Sequence, residues 1–110
     1  MIQLPKIPKW NITELTGYVP KTTFWQDFSI ADAFGIDAIK DTYKRAFNEW
    51  KTNVKYITEM VMVLNHKCWW WYNKDNEKSK LYADLYYKLD EWCLDNLKGS
   101  DFEYYVNTTD

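Results

Sequence analysis

A row of large apolar and aromatic residues recurs at every seventh position from Ile36 to Trp71, and it leaves this chain few folds to choose from. The row is Ile36, Tyr43, Trp50, Ile57, Leu64 and Trp71. A second row runs beside it, first as Ile39 and Ala46 and then, one place later, as Phe47, Val54, Val61 and Cys68. A straight helix imposes that shift, because 3.6 residues per turn drift by ~20° per heptad against a strict seven-residue repeat. The spacing predicts a long central helix over 37–72 with one continuous apolar stripe. Unbroken, it would reach roughly 54 Å at ~1.5 Å per residue. That is longer than a domain of this size usually is across. Thr52 and Asn53 offer the backbone competing hydrogen bonds, so a bend or break is expected there.

The flanks supply the rest of an all-α fold. Thr23-Phe24-Trp25-Gln26 has capping-box spacing, and Ser29-Ile30-Ala31-Asp32 fits its looser form. Together they predict a short helix within 23–34, with Phe24, Phe28, Ala31 and Phe34 on one face. Gly35 would stop it, and Asp37 would cap the next. After the polar break at Asn73–Asn76, Asp75 or Asn76 can cap a further helix running to about Lys98-Gly99. Its apolar rows are Leu81, Leu85, Leu89 and Trp92, with Tyr82, Tyr86, Cys93 and Leu97 alongside. So short a break predicts an antiparallel hairpin. Residues 1–21 read as an extended arm, since Pro5, Pro8 and Pro20 push their predecessors toward extended geometry. Asn11 could cap one turn ending at Gly17. The arm is expected to lie on its own domain or on a neighbouring subunit. Residues 99–110 have β-propensity and no partner strand. They are expected to dock as a tail, with Phe102 or Tyr105 near Trp50. The whole chain, 1–110, reads as a single helical domain.

Several kinds of chemistry fail on residue type or spacing. A di-iron carboxylate bundle needs Glu-x-x-His on two helices. Here the one histidine is His66, and the residue three before it is Val63. Structural zinc needs four Cys or His ligands at close spacing, and this chain has two Cys and one His. Cys68 lies about seven residues before the hairpin turn and Cys93 about eighteen after it. Their heights then differ by roughly 17 Å, against the ~7 Å that a disulfide tolerates. Both are expected as free, buried thiols, which favours the cytoplasm. His66 and Cys68 are two apart and do not share a helix face. Glycines stand singly at 17, 35 and 99, so no phosphate-cradling loop is present. Asp37 with Asp41, and Glu91 with Asp95, share helix faces at four-residue spacing, as solvated faces often do. The expectation is a protein that is not an enzyme, with no cofactor and no metal. No apolar run approaches the ~20 residues of a membrane span, and no secretory signal is expected, since MIQLPKIPKW is broken by Pro5 and Pro8 and lacks an apolar core.

The aromatic content is the outlier: seven Trp, nine Tyr and five Phe. A chain this short has limited interior, so some of these rings should reach the surface, where aromatic patches mark partner sites. His66-Lys67-Cys68-Trp69-Trp70-Trp71-Tyr72-Asn73-Lys74 is the densest stretch. Successive helical residues splay by ~100°, so three consecutive tryptophans cannot face one core. Trp71 belongs to the buried row, and Trp69 or Trp70 must therefore point outward or meet a third element. Tyr82, Tyr86 and Tyr87 lie across the hairpin, and Trp10 and Trp25 complete the candidate surface. Three uses are open for it. It could be core enlarged by the arm, an interface with another copy or another protein, or a stacking platform for single-stranded nucleic acid. Lys67, Lys74, Lys78 and Lys80 would be the electrostatic part of the last. Formal net charge is −2, so no whole-chain field favours nucleic acid. The first 55 residues carry eight basic and six acidic side chains, the rest six and ten, an asymmetry suited to head-to-tail packing.

The stretches GYVPKTTFWQDFSIADAFG (17–35), AIKDTYKRAFNEWK (38–51), YITEMVMVLNHKCWWWY (56–72) and LKGSD (97–101) together resemble a family of short, uncharacterised bacteriophage and prophage proteins of gut bacteria. The resemblance implies a phage-encoded protein of the host cytoplasm or the virion, and carries over no site residues. The functional expectation is an interaction or assembly protein that acts through its aromatic surface and self-associates, with a single-stranded nucleic-acid-binding accessory protein as the alternative.

Overall fold

The computed structural model describes residues 4–7 and 22–109. Among the described residues there are five helices and no strand: α1 (Phe24–Phe34), α2 (Ile36–Trp50), α3 (Val54–Trp71), α4 (Asn76–Asn96) and α5 (Gly99–Thr109). None is long and apolar enough to cross a membrane.

The heptad stripe is carried by two helices instead of one. α2 stops at Trp50, and Asn53 opens α3 from an extended conformation (φ −109°, ψ 102°). Its side-chain oxygen accepts the Tyr56 N–H at 3.2 Å, the bond of an N-cap. The residue able to compete with the helix ladder thus ends one run and starts the next. The stripe survives the break, since Ile39, Tyr43 and Ala46 are buried on one side of it and Ile57, Val61, Leu64 and Cys68 on the other.

α3 is the centre. Every residue from Ile57 to Asn65 is buried, so no face of the helix is left to water. α4 covers it most extensively, with α1, α2 and α5 around the remainder. Near the α3–α4 turn, Ser79 donates its hydroxyl hydrogen bond to the Cys68 carbonyl at 2.7 Å. Farther from the turn, Tyr86 lines a small cavity together with Val61 and Met62. Full burial of side chains such as Met60 and Leu64 stabilises the fold by about 1.5–3 kcal/mol each. Asp75 caps α4, accepting the Lys78 N–H at 3.2 Å.

α1 and α2 meet at one residue, Gly35, with φ +111°. A β-carbon there would meet no atom within 4 Å, so the backbone angle and not the space calls for glycine. Gly35 occupies the cap position of α2. Asp37, expected to cap, lies in the first turn instead, where its charge still suits the helix N-terminus. Thr23 precedes α1 as expected but makes no capping-box bond; its hydroxyl donates to Asp27 at 2.8 Å. Phe24, Phe28 and Ala31 are buried together, whereas Phe34 is 80% exposed. At ~100° per residue Phe34 sits about 80° round the helix from Phe24, off the shared face.

The tail is helical and not extended. An isolated strand would leave its peptide groups unpaired, while a helix satisfies them internally. Tyr105 is buried and donates its hydroxyl hydrogen bond to Asp90. The expected docking at Trp50 is not found: Trp50 lies against Tyr56, with ring centroids 4.4 Å apart, and Phe102 faces solvent. Of the expected arm, residues 4–7 are non-helical, with Pro5 buried and Leu4 packed on the core. The Lys6 ammonium donates to the Thr109 carbonyl. Trp10, Asn11 and Gly17 lie outside the described residues.

Candidate interaction surface

The last turn and a half of α3 sends each successive side chain to a different environment, as the ~100° splay requires. Lys67 points inward and is 2% exposed. Its ammonium donates to Asp32 Oδ2 and to Ser29 Oγ, each at 2.8 Å, and lies 4.1 Å from the Trp25 ring centroid. The other Asp32 oxygen accepts the Tyr82 hydroxyl. Ser29 in turn donates to the Trp25 carbonyl at 2.7 Å. This closed polar cluster clamps α1 onto α3 and α4. Burial lowers the Lys67 pKa, and the hydrogen bond and charge of Asp32 oppose that shift. Burial, with the Asp32 carboxylate beside it, raises the Tyr82 hydroxyl well above the ordinary phenol range.

Trp69 meets a third element: its indole N–H lies 3.2 Å from both the Pro5 and Lys6 carbonyls, and its ring is edge-on to Tyr72 at 5.6 Å. Trp70 points outward and is 52% exposed. Its ring stands edge-on to Trp25 at 6.3 Å, and the Lys74 ammonium lies 4.1 Å from its centroid. Trp71 is half-buried beneath Lys78, 4.6 Å from its centroid. Lys78 also pairs with Asp75 at 3.7 Å. Tyr72 ends the helix and is exposed. The outcome is a ridge formed by the outward Trp70 ring, braced by Trp25 and topped by the Lys74 ammonium, while Tyr72 lies against Trp69.

Two expected surface residues are not on the surface. Tyr82 is fully buried in the Lys67–Asp32 cluster, its ring edge-on to Phe28 at 5.8 Å. Tyr86 is buried and lines a small cavity with Val61 and Met62, and burial with the neighbouring Asp90 raises its hydroxyl to about 12. Both lie on the α4 face that covers α3. Tyr87 is exposed but stacks edge-on to Tyr86 at 5.3 Å and lines a shallow cleft with Leu94 and Val106. No ring contact joins it to Trp25 or Trp70 among the described residues.

The Lys67–Asp32 pair escaped the sequence reading, which placed Lys67 among solvent-facing cations. One signal was there. Trp25, Ser29 and Asp32 follow i, i+4, i+7 spacing, so a carboxylate and a hydroxyl sit on the stripe of α1 that carries Trp25. Polar groups on such a stripe require a buried partner. Of the four lysines assigned to a nucleic-acid platform, Lys67 is consumed by Asp32 and Lys78 by Asp75 and Trp71. Cys68 and Cys93 are free thiols, and burial pushes each up to about 12. Among the described residues no group of three or more His, Cys, Asp or Glu side chains is placed to hold a metal ion. No protein-family model, curated protein or solved structure matches the chain.

Proposed function

We propose that this protein is a non-enzymatic protein–protein interaction component with an assembly or structural role, working through the Trp70 ridge. The frame we assign to it is an antiparallel α3–α4 hairpin, preceded by α1 and α2 and crossed by the N-terminal stretch. In line with the resemblance to phage proteins, the setting is phage assembly in the host cytoplasm or the virion, with self-association.

One observation carries this reading. Trp70 keeps about half its surface in water while Trp25 and Lys74 hold its ring in place. A large ring with few rotamers, already held, loses little entropy on binding, and tryptophan is the residue most enriched among binding hot spots. Tyr82 and Tyr105, whose hydroxyls are strongly raised, and Lys67, whose ammonium is lowered, have their polar atoms engaged with buried partners, which suits scaffolding better than proton transfer.

A photo-reactive phenylalanine analogue at position 70, activated in the producing cell, tests the proposal. Adducts with protein, whether this chain or another, are expected. Recovery of no protein adduct, or of nucleic-acid adducts alone, would overturn it.

A further inference from the structure

α1 and α2 leave an open groove of about 450 Å³ between them. Its floor is small, built from Ala31, Ala38 and Ala46, and its lip carries Ile30 and Phe34. These two are 61% and 80% exposed, the latter the highest value among the exposed large hydrophobics described. The groove is also charged. Among the described residues, Asp27, Asp41 and Glu49 line it against one cation, Arg45, which is tied to Asp41 at 2.9 Å. The described lining therefore carries a net charge of −2. A two-fold dimer joining groove to groove would set four surplus negative charges face to face, which is unfavourable. The occupant that fits is apolar, narrow and cationic.

The chain presents such an element. The ridge has an aromatic knob in Trp70, with the Lys74 ammonium over the indole. Lys74 has no carboxylate partner among the described residues, whereas the neighbouring Lys78 is paired with Asp75. Ridge and groove are different surfaces of the same molecule, on separate faces of α1. Trp25 braces the ridge, and Phe24, Asp27 and Ala31 line the groove.

We infer that the ridge of one copy seats in the α1–α2 groove of a second copy. Trp70 lies over the alanine floor against Ile30 and Phe34, and Lys74 meets the carboxylates of Asp27 and Glu49. The contact joins unlike patches, so each copy offers a free ridge and a free groove to the next. Repetition gives a ring if the rotation closes and a filament if it does not. The inference rests on the interaction reading above and names its partner.

Complementation between two variants tests it. Ile30→Lys with Phe34→Lys spoils the groove at exposed positions and leaves the ridge intact. Trp70→Ala with Lys74→Glu spoils the ridge and leaves the groove. Solution mass is read by light scattering over a range of concentration, with helix content and melting temperature checked for each protein. The wild type should rise above its 13.4 kDa chain mass as concentration increases. Each variant alone should stay at chain mass. Their equimolar mixture should form a dimer and stop, having one good ridge and one good groove. Lys74→Glu alone, which removes no buried contact, should weaken wild-type association by at least about tenfold. A wild type that stays at chain mass overturns the inference, as does a mixture that stays monomeric or a groove variant that assembles like the wild type. Photo-adducts from position 70 on other proteins, in any of these cases, would leave the interaction reading standing and remove only the second copy as partner.

Discussion

Two lysines of this protein sit over tryptophan rings at the same distance. Lys67 and Lys74 each lie 4.1 Å from an indole centroid, of Trp25 and Trp70 respectively. The surroundings differ completely. Lys67 is sealed from water and has a carboxylate and a hydroxyl to satisfy it. Lys74 is exposed and, among the described residues, has the ring in place of a carboxylate. A buried ammonium without a counter-charge is very costly, so the inner pair exists only as part of a closed cluster. An exposed ammonium keeps its water, and its ring contact adds about 0.5–1 kcal/mol at most. One geometry therefore does two jobs. The inner pair fixes where α1 lies, and the outer pair leaves an oriented ring and a cation available to a partner.

Alkaline pH should have the largest effect on stability, through groups of the interior. Tyr43, Tyr86, Cys68 and Cys93 are each raised to about 12 by burial. In the unfolded chain they ionise near 9–10, so between pH 9 and 12 the unfolded state loses protons that the native state keeps. Their contribution is fully present below pH ~9 and disappears as pH rises toward 12. Tyr82 and Tyr105 are raised too and add to that loss, while Lys67, whose pKa is lowered, acts in the opposite sense, as one group against six. Melting followed by circular dichroism should show stability level from pH 7 to about 9, then a steep fall and unfolding. A protein as stable at pH 11.5 as at pH 8 would contradict the burial of these groups.

Next comes Asp32→Ala. It strands a buried ammonium and a buried phenol and should destabilise by about 3–5 kcal/mol in urea titration. Asp32→Leu combined with Lys67→Met removes both charges and should recover most of that loss. Ser29→Ala takes away one of the ammonium's acceptors and should cost about 1 kcal/mol. Lys74→Ala should change stability least, by under about 1 kcal/mol, while weakening association. If Lys74→Ala destabilised as much as Ser29→Ala, the outer pair would be structural too.

The sequence was legible where one element decides its own fate. The heptad rows marked α2 and α3, Asn53 announced the break between them, and Asp75 announced the start of α4. It was opaque where the outcome depends on a distant partner. Lys67 looks like any helix-surface lysine until Asp32, 35 residues away, is brought beside it. Tyr82 and Tyr86 were assigned to the surface because hairpin spacing fixes which helices meet, and not which face of α4 turns inward. The tail misled for a local reason: β-propensity describes fit to a sheet, and no sheet is present among the described residues. Charge counted by halves also misled. The first half is the more basic, yet its α1–α2 groove is acidic, while the ridge of the acidic half presents a lysine.

The two buried thiols supply a clock for opening. A thiol reacts with disulfide or maleimide reagents only as an accessible thiolate. Cys68 on α3 and Cys93 on α4 have neither access nor a low pKa in the closed protein. Labelling at neutral pH must wait for the segment around each sulfur to unfold. The ratio of native to denatured labelling rate then gives the free energy of that opening at each site. Equal values would mean that the two helices part in one event. A faster Cys93 would mean that α5, whose Tyr105 covers it, lifts away while α3 stays closed.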